Sequence, residues 1–173
     1  TNNSALRVNF EEALFQSLPV DKGLYMPEHI PTLDPFFIKN IQQYSLQEIA
    51  FHVAERLLGE DIPSADLKAI VEDAINFEAP IKFLDAQTAV LELFHGPSLA
   101  FKDFGARFMS RVMAYFAKEE DGLLDVLVAT SGDTGGAVAL GFLGVAGTRV
   151  TILYPKGKVS KVQEEQLTTH GQN

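Results

Sequence analysis

The chain has 173 residues, 46% hydrophobic and 21% charged, which is the composition of an ordinary globular protein able to form one domain or two small ones. Lys and Arg total 14 against 23 Asp and Glu, a formal charge of −9. That balance excludes a sequence-independent nucleic-acid binder, which needs a basic face to neutralise phosphates, but leaves room for a small anionic metabolite held by a few local cations. Cysteine is absent, which removes disulfides, thiolate catalysis and Cys-ligated metal sites. It fits a reducing compartment, so a cytoplasmic location is expected. The apolar stretches 123–130 and 137–147 fall far short of a membrane span. The amino terminus, Thr1 to Arg7, has no apolar signal core and no initiator Met, so the chain reads as a non-secreted piece of a longer protein.

Residues 1–79 read as a mostly helical region and 80–173 as an α/β region. Phe10–Ser17 carries a short helical pattern, and Pro27 and Pro31 then keep the chain extended or turning. Ser45 is a good N-cap. Leu46, Ile49, Ala50, Val53, Ala54, Leu57 and Leu58 follow at helical spacing and Gly59 closes the helix. Pro63-Ser64 opens another helix, with Leu67, Ile70, Val71, Ala74 and Ile75 on one stripe. From there the pattern changes. Ile81–Leu84 and Ala89–Phe94 are short β-type runs, and Asp103–Lys118 repeats Phe104, Phe108, Val112, Tyr115 and Phe116 at helical spacing. Leu124–Ala129 is a continuous apolar run, expected as a strand buried on both faces. The small residues of Thr134–Val145 suit a helix packed closely on a sheet, Arg149–Tyr154 is another strand and Ser160–Thr169 a last helix. The order β-α-β-α-β-α from residue 89 predicts an open, mostly parallel sheet with crossover helices.

Three segments carry chemistry, all where a strand gives way to a helix, the ligand-binding edge of such sheets. In the first, His95 to Arg107, Lys102 sits at the start of a helix beside Leu99, Ala100 and Phe101. The helix dipole and the apolar neighbours both disfavour its charged form, and a neutral amine is what Schiff-base chemistry requires. The structural alternative is a surface lysine paired with Asp103. In the second, Thr130-Ser-Gly-Asp-Thr-Gly-Gly136, glycines allow close backbone approach and first-turn amides suit a carboxylate or phosphate, with Ser131 and Thr134 as hydroxyl donors. The alternative there is a helix capped by Asp133 or Ser131. Glycines at 132, 135 and 136 do not fit the dinucleotide fingerprint. In the third, Pro155 to Ser160, Lys156, Lys158 and Lys161 can attract an anion or remain solvated, and no phosphate loop is formed because Ile152 and Val159 stand at its key positions. The histidines at 29, 52, 95 and 170 have no metal-ligand spacing, so no metal is expected. Ser131 lacks the Gly-x-Ser-x-Gly context of a hydrolase elbow.

Together these segments resemble the threonine synthase family. The resemblance runs through Asn9 to Leu14, Asp21 to Pro27, Leu93-Phe-His-Gly-Pro-Ser-Leu-Ala-Phe-Lys-Asp-Phe-Gly-Ala-Arg107, Thr130 to Gly135 and Leu153 to Lys158, in the family's order. It implies a pyridoxal 5'-phosphate enzyme of the tryptophan-synthase-β-like fold that converts O-phospho-L-homoserine and water to L-threonine and phosphate. On that resemblance Lys102 is the Schiff-base lysine and proton shuttle, and Phe101 and Asp133 contact the cofactor. Ser131, Gly132 and Thr134 bind the substrate carboxylate, and Lys156 helps hold the substrate phosphate. Asp133 stands where dehydratase relatives more often carry Asn. The family's cofactor-phosphate loop and its hydroxyl residue near the pyridine nitrogen are not found, so a fragment inert on its own is expected.

Two alternatives stay open: a serine/threonine dehydratase-like or cysteine-synthase-like enzyme of the same fold, and a non-catalytic homologue that binds a ligand or partner. Phosphate release from phosphohomoserine separates the first from threonine synthase, and loss of turnover on replacing Lys102 separates the second.

Overall fold

The computed structural model describes residues 5–117 and 122–171. It divides into two compact units, Thr1–Asp73 and Ala74–Asn173.

The first unit is helical: α1 (Phe10–Gln16), α2 (Pro35–Lys39), a 3-10 turn (Ile41–Gln43), α3 (Leu46–Leu58) and all but the last residue of α4 (Ser64–Ala74). Local chemistry sets the ends of these helices. Asn9 caps α1 through the Glu12 amide, and Asp34 caps α2, which starts on a proline. α3 spans the residues that its periodicity predicts. Its Ser45 hydroxyl accepts from the Glu48 amide at 3.3 Å, and the Glu48 carboxylate accepts from the Ser45 amide at 2.7 Å, a complete capping box. His52 packs in a ring cluster, 4.5 Å from Phe37 and 5.5 Å from Tyr44 between centroids. Phe37, Ile62, Leu67, Ile70 and Val71 are buried.

The Ser45 amide, and then its hydroxyl, hold the Glu48 carboxyl below the ordinary carboxylate range. A lowered folded value means that this contribution is present above the ordinary range and is lost as the pH falls through the lowered one. Glu48→Gln keeps the box, as Ser160–Gln163 does elsewhere in this chain. The variant is therefore expected to match the parent near neutrality and to lose less α3 helicity in acid. Circular dichroism against pH checks this, and an unchanged acid limb would refute it.

The second unit contains a hairpin and a parallel pair. Strands β1 (Ile81–Phe83) and β2 (Ala89–Leu91) run antiparallel, and Asp85 closes their link by accepting from the Gln87 and Thr88 amides at 2.8 and 2.9 Å. This corrects the sequence reading, which started the parallel series at residue 89. The run is three residues long, exposed throughout and paired by a tight turn, so β2 lies outside the parallel sheet.

Next come α5 (Lys102–Phe116), β3 (Leu124–Ala129), α6 (Asp133–Phe142), β4 (Thr148–Leu153) and α7 (Lys161–Thr168). α5 ends at Phe116 with Ala117 as its C-cap, and Lys118, the predicted end, lies outside the described residues. β3 and β4 pair in parallel, register Leu124 with Thr148 through Ala129 with Leu153, joined by the α6 crossover. β3 is not buried on both faces as expected. Asp125, Leu127 and Ala129 are exposed, and Asp125 meets Arg149 across the pair in two hydrogen bonds, 2.5 and 2.8 Å. α6 is buried along most of its length. Glycine lets it approach α5: a Cβ on Gly141 would lie 3.1 Å from the Ala106 carbonyl, and Ser110 donates to the Gly141 carbonyl at 2.7 Å. Leu167 of α7 and Phe142 of α6 join this core.

Candidate cofactor cleft

The carboxyl end of β3 leads by a short loop into α6, that of β4 by residues 154–160 into α7, and the loop 96–101 leads into α5. A cleft of about 550 Å³ opens among them, within the range of small-molecule sites. Lys102 is the first residue of α5 and Asp133 the first of α6, and both line the cleft with Phe101, Ser98, Ser160, Gln163 and Gln166. Two segments separated in sequence thus bring a lysine and an aspartate to one cleft. The Lys102 Nζ lies 4.5 Å from the centroid of the Phe101 ring, an aromatic face that attracts an ammonium group.

Asp103 does not pair with Lys102. It is fully buried, and its carboxylate accepts from the Ser98 amide at 2.9 Å and the Ser98 hydroxyl at 2.6 Å.

The 130–136 loop also differs from the expected anion cradle. The Thr130 hydroxyl accepts from the Gly132 amide at 3.1 Å and the Gly135 amide at 3.0 Å, so this side chain takes two of the donors assigned to a ligand. Thr130, and neither Ser131 nor Asp133, supplies the polar partner for the start of α6. Asp133 instead accepts from Gln163 Nε2 at 3.0 Å. Gly132 is the N-cap, with φ 153°, a backbone state that favours glycine. A Cβ there would also stand 2.4 Å from Gln163 Nε2.

The structure therefore brings Phe101, Lys102 and Asp133 together. Gly132 is buried close to Gln163 and outside the cleft lining, and Ser131 and Thr134 are exposed residues likewise outside it. Lys156 lies exposed on the turn after β4 and is likewise outside it, and Lys161 stands 3.8 Å from Glu165 on its own helix.

Sequence reasoning missed Ser98, Ser160, Gln163 and Gln166. For Ser160 and Gln163 one local signal existed, the Ser160-x-x-Gln163 box that starts α7. Among the described residues no His, Asp and Glu cluster could hold a metal ion. No helix among them is long and apolar enough to cross a membrane.

The chain is similar to known proteins in sequence and in fold. Residues 1–75 match the family model "Threonine synthase N terminus". The chain is 44% identical to a threonine synthase of Haemophilus influenzae over 167 residues, 96% of this chain and 38% of that protein. A crystal structure described as PLP bound threonine synthase from Brucella melitensis superposes with a TM-score of 0.90 at 38% identity, covering 98% of this chain and 38% of that one. The threonine synthase of Escherichia coli gives a TM-score of 0.85 at 38% identity, covering 95% and 38%. The chain thus spans about 38% of the length of curated relatives such as the threonine synthases of Haemophilus influenzae and Serratia marcescens.

Proposed function

We propose, on the premise that this chain is related to threonine synthases across nearly its whole length, that it carries the cofactor-lysine segment of such an enzyme. The whole enzyme then converts O-phospho-L-homoserine and water to L-threonine and phosphate, in the cytoplasm. The observation that carries the proposal is the convergence of Lys102 and Asp133 on one cleft from the starts of two helices.

Pyridoxal phosphate suits the donor set at its reactive end. A primary amine is the group that takes its aldehyde, and Phe101 offers a flat apolar surface beside that amine. Lys102 is the one basic residue among the described residues lining the cleft, beside the neutral donors of Ser98, Ser160, Gln163 and Gln166. When bound, the cofactor supplies an electron-withdrawing ring that stabilises negative charge on the carbon bearing the substrate's amino group.

Everything else falls to the chain's own side chains. Lys102 holds the cofactor, and its amine moves protons at the substrate's α and β carbons. Asp133 faces the cofactor, its direction fixed by the hydrogen bond from Gln163. Ser131, Gly132 and Thr134 remain the proposed contacts of the substrate carboxylate, and Lys156 of its phosphate. Because these residues stand outside the present lining, those contacts require the loop and turn to meet a bound substrate.

Treating the chain with pyridoxal phosphate, reducing with borohydride and mapping peptides by mass is expected to place most of the label on Lys102. Equal labelling of all lysines would refute the assignment. In the complete enzyme, phosphate release from O-phospho-L-homoserine is expected. Ammonia release from threonine in its place would favour a dehydratase.

A second expectation concerns Gln163. Gln163→Leu removes the donor to Asp133 and the acceptor of the α7 capping box, which leaves the exposed Asp133 carboxylate with one partner fewer. Cofactor affinity is expected to fall by roughly tenfold, the usual scale for losing a supporting hydrogen bond to a bound group. A titration of the visible absorbance checks it, and an unchanged affinity would count against Gln163 as the group that directs Asp133.

A further inference from the structure

The approach to Lys102 is held by a device that the proposed reaction does not itself use. Leu99 has φ +60°, a left-handed backbone state uncommon for a residue with a Cβ. Its turn is closed by the Leu99 amide donating to the Gly96 carbonyl at 3.0 Å. Ser98, one residue earlier, is tied on both sides. Its amide and hydroxyl donate to Asp103, and its carbonyl accepts from Gln166 of α7 at 3.4 Å. Glycine at 96 makes room for this: a Cβ there would stand 2.4 Å from Asp103 Oδ2 and 2.7 Å from Asp103 Cβ. Phe101, the N-cap residue of α5, makes no side-chain capping bond. The buried carboxylate of Asp103 therefore reaches backwards past Lys102 to grip the turn that precedes it, and its charge lies at the favourable positive end of α5.

We propose that Asp103, acting through Ser98, is a positioning residue that fixes the Lys102 amine in the cleft by pinning the left-handed turn at Leu99. This rests on the reading of Lys102 as the cofactor lysine and adds to it the group that keeps the lysine in place. Asp103 touches neither substrate nor cofactor. Losing it releases residues 97–101, and the amine then samples positions away from the cleft wall. Asparagine preserves the device, because its carbonyl accepts from the Ser98 amide while its amide donates to the Ser98 hydroxyl.

The test is trace acetylation with acetic anhydride, scoring Lys102 against the exposed Lys82 by peptide mass in the parent, Asp103→Ala, Asp103→Asn and Ser98→Ala. Far-UV circular dichroism identifies folded variants. The expected result is a change of about tenfold in the Lys102 to Lys82 ratio for Asp103→Ala, the scale on which small misplacements act, with Asp103→Asn near the parent and Ser98→Ala between them. A buried aspartate serving stability alone would alter melting and leave that ratio unmoved in every folded variant, which overturns the proposal. Should Asp103→Ala fail to fold, Ser98→Ala decides by the same ratio, since it removes one of the two bonds and leaves the carboxylate in place. A parallel arm with pyridoxal phosphate and borohydride separates the two readings. Indiscriminate labelling of the parent defeats the assignment of Lys102 as the cofactor lysine, while the acetylation ratios still decide whether Asp103 positions it.

Discussion

Replacing Lys102 with Ala in the complete enzyme should lower phosphate release by at least roughly 10²–10⁴-fold, the span for losing a positioned proton-transfer group, with loss of covalent attachment added to it. The structural cost should be small, because Lys102 is only half-buried and its amine rests against the neighbouring Phe101 ring. Lys102→Arg sharpens the test. It keeps a long cationic side chain, yet a guanidinium does not lose its proton and cannot take an aldehyde, so the deficit should match that of Ala. Lys156→Ala is the useful contrast. Lys156 is exposed and outside the cleft lining, so attachment of pyridoxal phosphate at Lys102 should be unchanged, and any effect should appear in KM for the phosphorylated substrate. A variant lacking Lys102 that retained full turnover would remove the proposed chemistry altogether. Retained binding of a ligand without turnover in either protein would favour the non-catalytic homologue.

How far the sequence could be read depended on the range of the forces involved. α3 was legible to the residue because its periodic stripe, its Ser45 cap and its Gly59 stop all act within one or two turns. The segment at 89–91 was misplaced because a three-residue strand carries too little pattern to show its partner. The deciding feature was the Asp85 turn that folds it back on β1. Burial of β3 failed for a similar reason. Leu127 and Ala129 look like core, but burial depends on what lies above the sheet face, and that is set at long range. At the candidate site, the position of Asp133 was legible because the junction of a parallel strand with a helix marks the ligand edge of such a sheet, and that of Lys102 from the start of α5 among apolar residues, since the strand before it belongs to the antiparallel hairpin. Gln166 was not, because an amide on a polar helix has no distinguishing spacing, and the Ser160-x-x-Gln163 box marks a helix start without showing that Gln163 reaches Asp133. Their meaning comes from the cross-chain bonds to Asp133 and Ser98. Thr130 was passed over for Ser131 because either hydroxyl can cap a helix, and only the backbone path shows which one faces the amides.

Two adjacent glycines at the start of α6 should respond in opposite directions. A Cβ on Gly135 would stand 2.4 Å from Thr130 Cγ2 and 2.9 Å from Leu167 Cδ2. Neither atom can yield freely: Thr130 is β-branched with its hydroxyl committed to the Gly132 and Gly135 amides, and Leu167 is buried. Gly135→Ala is therefore expected to cost about 2–4 kcal/mol, combining an overpacked core with a weakened cap. On Gly136 the nearest atom to a new Cβ is Gln166 Cβ at 3.9 Å, ordinary contact. Gly136→Ala should be neutral or stabilising by up to ~1 kcal/mol through helix propensity alone. Urea midpoints of the two variants measure the difference, and equal midpoints would contradict this account of the α6 entrance. The same displacement carries into the site. Thr130 and Asp133 share the loop that Gly135 supports, so only the Gly135 variant should also lose selective attachment of pyridoxal phosphate at Lys102. A Gly135→Ala protein that is destabilised yet still labels Lys102 selectively would show that the start of α6 serves the fold without shaping the cleft.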